Sequence, residues 1–134
     1  MKTSTKRIPI VTGVKAGGNI PDDLLDWEIT GFRDVRMSEP LNQFTRFAAV
    51  PVEGDSLKDQ GIFDGDLLIM RITSIYENDR LGVWQTPHGR TAKFAYYDFD
   101  NSVVLHNENG WRQSWDSSEL RLLGIVVRVE RDME

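Results

Sequence analysis

Residues 52–70, "VEGDSLKDQGIFDGDLLIM", place two turns rich in glycine and aspartate ahead of an apolar run. Gly54-Asp55-Ser56 and Asp64-Gly65-Asp66 favour chain reversal, because glycine accepts positive φ and aspartate side chains bond nearby backbone. The run from Leu67 to Met70 is too short for a helix and fits a buried strand. A loop that presents a serine, followed by a turn into a strand, points to a β domain. Working outward, similar runs recur as "RFAAVPV" (46–52), "DLLIMRI" (66–72), "GVW" (82–84), "RTAKFAYY" (90–97), "SVVLH" (102–106) and "LRLLGIVVRV" (120–129). "TPHGR" and "DFDNS" between them predict hairpin connections. Outside one turn of helix after Ser56 and another in "DDLLDW", no stretch sustains an apolar period of 3.6, so the fold class is mostly β.

Strand alternation assigns directions. In "RTAKFAYY", Thr91, Lys93 and Ala95 share one face, and Ala92, Phe94 and Tyr96 share the other. In the last strand, alternation puts Leu123, Ile125, Val127 and Val129 together on the core side. The opposite side mixes Leu122 and Val126 with Arg128 and Glu130, as an interface would. Residues 1–26 carry "VKAGGNIPDD", whose Gly17, Gly18, Asn19 and Pro21 oppose regular structure. They are expected to form a loosely docked leader, with residues 27–134 as the folded domain.

A chain of 134 residues with 40% apolar and 28% charged side chains builds one hydrophobic core. The net charge of −5 argues against a nucleic-acid-binding surface. Lys2, Lys6, Arg7 and Lys15 are too sparse for a DNA arm. With no cysteine, disulfides and thiolate metal sites are excluded. No apolar run approaches the roughly 18 residues of a membrane span and no signal-peptide core follows the start, so a cytoplasmic location is expected.

Ser56 sits where a tight turn projects its hydroxyl, and the backbone N–H groups of Asp55 and Ser56 are candidate donors to an oxyanion. The bland alternative is a plain Gly-Asp-Ser loop. As a nucleophile, Ser56 needs a base. His88 lies at a hairpin tip and His106 at a strand end, neither in a recognisable triad. An amine among apolar neighbours loses its charge more readily, so Lys93 is the candidate base, weighed against an ordinary solvated strand lysine. The aspartates of "DGD" fit turn and capping roles. A calcium loop is disfavoured because Leu67-Leu68-Ile69 follows at once. No metal or cofactor is expected.

The segment Ser56–Leu68, "SLKDQGIFDGDLL", closely resembles the nucleophile segment of the LexA-like self-cleaving proteins, peptidase family S24. "Thr91-Ala92-Lys93" resembles the Thr-x-Lys strand of that family, and Lys93 follows Ser56 by 37 residues, the family's habitual spacing. "Gly13-Val14-Lys15-Ala16-Gly17" is similar to its cleavage-site region. Residues 123–129, "LGIVVRV", resemble its C-terminal dimer-forming strands. The resemblance implies a Ser56–Lys93 dyad supported by Gly54 and Thr91, cleavage of the chain's own Ala16-Gly17 bond, and a homodimer. It also implies activation by a RecA filament after DNA damage, in the SOS response. Leu57 stands where the family most often has methionine, and the 39 residues from Gly17 to Ser56 exceed the usual spacing. An extra turn around "GFRDVRMSEPLNQ" would absorb the excess. The chain shows no helix-turn-helix of its own, so a repressor's DNA contact would come from elsewhere.

Other readings remain open at the level of sequence. A free-standing UmuD-like polymerase accessory shares the motifs. An uncleaved dimerisation module would keep the fold without the reaction, using Trp27, Trp84, Trp111 and Trp115 for contacts. "GDSL" (54–57) also resembles the GDSL esterases, but no histidine follows His106 to complete their Asp-x-x-His.

Overall fold

Side chains that alternate between apolar and polar, broken by glycine and aspartate turns, drive most of the chain into strands. The computed structural model describes residues 4–14, 27–37, 45–54 and 57–132. Its strands are β1 (Ser4–Val14), β2 (Trp27–Met37), β3 (Phe47–Pro51), β4 (Leu67–Ile72), β5 (Gly82–Thr86), β6 (Gly89–Tyr97), β7 (Ser102–His106), β8 (Arg112–Asp116) and β9 (Arg121–Glu130). Short 3-10 turns cover Lys58–Gln60 and Ser117–Glu119. The strands form one sheet in the order β2-β1-β3-β4-β9-β5-β6-β7-β8, mixed because β1 and β3 run parallel through the pair Ile10 and Ala49.

The sheet buries both faces. On one, Val11, Ala48, Val50, Leu57, Leu68, Met70, Val83 and Leu123 form a single cluster, with Ala92, Phe94 and Val126 packed against it. The other face carries two clusters. Ile8, Val35, Phe47 and Ile69 lie in the β1–β4 half. Trp84, Ala95, Leu105, Leu122 and Ile125 lie in the half formed by β9, β5, β6 and β7. Each fully buried aliphatic side chain contributes about 1.5–3 kcal/mol relative to exposure.

Several expectations change on meeting this architecture. Residues 4–14 form a full strand rather than a loose leader, because Ile8 and Val11 are buried and every breaker in "AGGNIPDD" lies beyond Val14. β1 pairs antiparallel with β2 from Ser4 and Met37 to Val14 and Trp27, so "GFRDVRM" is strand and offers no extra turn there. Residues 38–44 fall outside the described residues. β8 was hidden because "RQSWD" has too few apolar residues to alternate.

The facing of β9 also departs from simple alternation. Leu123 joins the first cluster while Ile125 joins Trp84 on the opposite face, and Val127 packs with Ile69. Two bulges cause this. β5 pairs with β9 through Val83 and Gly124, then Trp84 and Leu122, leaving Leu123 extra. β4 pairs through Ile69 and Arg128, then Met70 and Val126, leaving Val127 extra. One added residue inverts the facing of everything beyond it.

Between the bulges, Gly124 lies tight against β4. A Cβ there would meet the Arg71 carbonyl oxygen at 2.7 Å and Met70 Sδ at 2.8 Å. Among the described residues, Gly31 has only Ile10 Cδ1 nearby, at 3.8 Å. Gly124→Ala is therefore expected to destabilise by about 1–3 kcal/mol, as overpacking does. Gly31→Ala should be neutral or stabilise by up to about 1 kcal/mol. Urea denaturation of both variants measures the contrast.

Candidate active site

The second turn of the opening stretch fastens the first. Val52 N–H donates to the Asp66 carbonyl (2.8 Å), Gly65 N–H to the Val52 carbonyl (2.9 Å), and Gly54 N–H to Asp64 Oδ1 (2.8 Å). Gly54 takes φ 84°, a left-handed conformation that a side chain would disfavour. On the far side of the loop, the Leu57 carbonyl accepts from Gln60 N–H (3.0 Å) and Ile62 N–H (3.2 Å), and the Leu57 side chain is buried. Asp55 and Ser56 themselves lie outside the described residues, as do Ala16 and Gly17.

Asp66 anchors the turn to the end of β9. Its side chain, 2% exposed, accepts Arg131 Nε–H at Oδ1 (2.8 Å), Arg131 Nη2–H at Oδ2 (2.7 Å) and Phe63 N–H at Oδ2 (2.8 Å). These bonds, the Arg131 guanidinium first, hold its carboxyl down at about 2. Arg131 also donates to the Gly61 carbonyl (2.9 Å) and lies 4.9 Å from the Phe63 ring centroid. The "DGD" aspartates are thus turn fasteners. Among the described residues, no group of three or more His, Cys, Asp or Glu side chains is gathered as a metal site would be.

Lys93 sits where β6 changes partner. Gly89–Lys93 pair with β5, and Phe94–Tyr97 pair with β7, so the other edge of Gly89–Lys93 carries no ladder among the described residues. That edge opens a cleft of about 390 Å³, whose walls include Thr91, Lys93, Leu105, Asn107, Trp111 and Trp115. Lys93 is only 5% exposed, and burial pushes its ammonium below the ordinary lysine value. Nζ donates to the Ala92 carbonyl at 3.2 Å and lies 5.4 Å from the Trp111 ring centroid. Behind it, Trp84 Nε1–H donates to the Lys93 carbonyl at 3.1 Å, fixing the backbone. Chemically, such an amine loses its charge more readily than a solvated lysine and can then accept a proton, and an unladdered strand edge can receive an extended peptide.

Two observations relate the serine loop's flanks to β6. Burial lowers the titration of Arg90, three residues before Lys93, and the charge of Glu53 opposes that shift. Leu57 shares its buried cluster with Ala92 and Phe94, the neighbours of Lys93, and with Val11 near the end of β1. Thr91 is half-buried on the Lys93 face. His88 is exposed at the β5–β6 turn, 5.6 Å from the Trp115 ring, and His106 packs between Phe94 (5.9 Å) and Tyr96 (5.5 Å).

No family model matches the chain. Curated relatives do. The LexA repressor of Lacticaseibacillus casei strain BL23 is 30% identical over 129 residues, covering 92% of this chain and 58% of that protein. The LexA repressor of Caldicellulosiruptor saccharolyticus is 28% identical over 134 residues, covering 95% and 60%. That of Listeria innocua is 26% identical over 131 residues, covering 94% and 60%. The domain is LexA-like. The chain spans between half and two thirds of the length of each of these relatives, 58% to 60%. No helix among the described residues of the LexA-like domain is long and apolar enough to cross a membrane.

Within the LexA-like domain, Asp64, Arg131, Trp84 and Trp111 were not singled out for the site by the sequence. Arg131 meets Asp66 across 65 residues of chain, and no local pattern announces such a pair.

Two titrations follow from these burials. The folded Asp66 carboxyl titrates below its unfolded value, so its stabilising effect is complete above pH of about 4 and fades as pH falls toward about 2. Arg131→Ala should lower the thermal midpoint at pH 7, with the difference shrinking in acid. Lys93 follows the same sign at higher pH, since the folded state disfavours its charge and burial lowers its titration. The wild-type domain should gain stability relative to Lys93→Met as pH rises toward about 10.4, the ordinary lysine value. Thermal unfolding of the three proteins from pH 2 to 10 measures both.

Proposed function

We propose that this chain is the self-cleaving part of a LexA-like repressor, with Ser56 as nucleophile, Lys93 as general base and the Ala16-Gly17 bond as substrate. One observation carries most of the weight. A single buried cluster holds Val11, five residues before Ala16, and Leu57, next to Ser56; Ala92 and Phe94, on either side of Lys93, pack against it. This packing gathers the three segments at β6 and supports a reaction there, with Lys93, whose side chain points away from Ala92 and Phe94, reached through the cleft at the unladdered edge. The curated LexA repressors support the repressor context.

In this mechanism the connection between β1 and β2 docks as an extended segment along the unladdered edge of β6. Uncharged Lys93 takes the Ser56 hydroxyl proton as Oγ attacks the Ala16 carbonyl carbon. The backbone N–H groups of Asp55 and Ser56 receive the developing oxyanion. Collapse breaks the bond to the Gly17 nitrogen, which leaves with the proton from Lys93, and water then hydrolyses the acyl-serine. Because the substrate is tethered, the rate follows how often the segment is docked. Residues 1–26 carry the cleavage site, with strand β1 packed into the sheet ahead of it, and residues 27–134 carry the peptidase and dimerisation surfaces. The family resemblance adds a RecA filament as activator, a homodimer, and DNA contact through a separate helix-turn-helix.

Incubating the purified chain between pH 7 and 10 tests this. Fragments broken after Ala16 are expected, at a rate that rises with pH until Lys93 has titrated. Ser56→Ala and Lys93→Ala should each slow cutting by at least about 100-fold while leaving the fold intact. A chain that stays whole throughout, or a rate flat in pH, contradicts the proposal.

A further inference from the structure

We propose that Trp111 is a positioning residue for Lys93, its indole capping the amine from the cleft side and keeping water away from Nζ. The inference rests on Lys93 serving as the base, and it adds a residue that neither the serine segment nor the Thr-x-Lys strand supplies.

The geometry is specific. Lys93 Nζ lies 5.4 Å from the Trp111 ring centroid, and both side chains line the same cleft. The lysine is 5% exposed while the tryptophan beside it is 40% exposed, as expected of an indole that covers the amine on the cleft side. Trp111 is also held in place. Its N–H is shared between Asn107 Oδ1 (3.2 Å) and Asn109 Oδ1 (2.9 Å), and its carbonyl accepts Asn107 N–H (3.2 Å). Asn107 is itself buried at 6% exposure, which ties the β7–β8 turn to the body of the sheet.

An indole over an amine has two opposing effects. Its face attracts the charged form, and its bulk removes water from it. Burial is what lowers the lysine's value, so exclusion of water prevails. Among the described residues, the cleft's titratable or charged groups besides Lys93 are His88 on the β5–β6 turn and Arg90 on β6. Those contributed by β7, β8 and the turn between them are neutral: Asn107, Asn109 and Gln113.

The experiment follows the Lys93 amine by NMR of lysine labelled with carbon-13 at Cε, in the Ser56→Ala protein so that the chain remains whole. Lys93→Met assigns the signal. Trp111→Ala should raise the Lys93 titration midpoint by about one unit, a tenfold loss of uncharged amine near neutrality. Trp111→Phe, which keeps an aromatic cap, should stay within a few tenths of the parent. Trp111→Gln serves if the alanine variant does not fold, with the same upward shift expected. In the cleaving protein, Trp111→Ala should displace the rising limb of the rate profile to higher pH by the same amount. An unchanged or lowered midpoint in both Trp111→Ala and Trp111→Gln overturns the proposal. If the midpoint rises but no variant ever cuts, Trp111 still caps Lys93 and it is the proposed cleavage that fails.

Discussion

The loop that carries Ser56 is short, polar and bordered by a left-handed glycine, so without outside restraint it would sample many conformations. The restraint is the Asp64-Gly65-Asp66 turn. Asp64 bonds Gly54, the backbone of residues 65 and 66 bonds Val52, and Asp66 is gripped by Arg131 from the end of β9. A buried carboxylate is costly unless its oxygens are bonded, and here three donors meet them. Leu57 then fixes the other side of the loop by entering the core. The second turn exists to hold the first, which is why a domain this small carries two in close succession.

A second constraint acts on β6. A lysine buried on a strand face costs stability at neutral pH, and the chain accepts this where β6 passes from pairing with β5 to pairing with β7. That handover leaves one edge without a ladder and opens the cleft. Trp84 fixes the Lys93 backbone from within, and Trp111 covers the amine from outside. Tryptophans that the sequence offered only as core or interface residues therefore surround the one buried lysine among the described residues.

Much of this was legible before any coordinates. The strands at 46–52, 66–72, 90–97, 102–106 and 120–129 appear within a residue or two, because short β-branched runs bounded by turn residues admit few other structures. The facing of Lys93 with Ala95 against Ala92 and Phe94 follows from a period of two, and it held because no bulge interrupts that part of β6. In β9 the same rule failed after Leu122, since a bulge depends on the partner strand's register and leaves no mark in the strand's own sequence. β1 and β2 were missed for a related reason. The glycines and proline of residues 17–21 dominate their neighbourhood, while the pairing of Ser4–Val14 with Trp27–Met37 is a long-range agreement. The Asp66–Arg131 clamp is hidden in the same way. What the sequence lacks is any local trace of contacts made between distant segments.

The most direct test of the account is whether the Ser56 hydroxyl is activated by Lys93, independent of any leader docking. Treatment with a serine-directed fluorophosphonate measures it. The account predicts modification at Ser56, faster as pH rises from 7 to 10, and at least about 100-fold slower in a folded Lys93→Ala variant. Modification at the same rate with and without the lysine would contradict it, as would a serine that stays unreactive across that range.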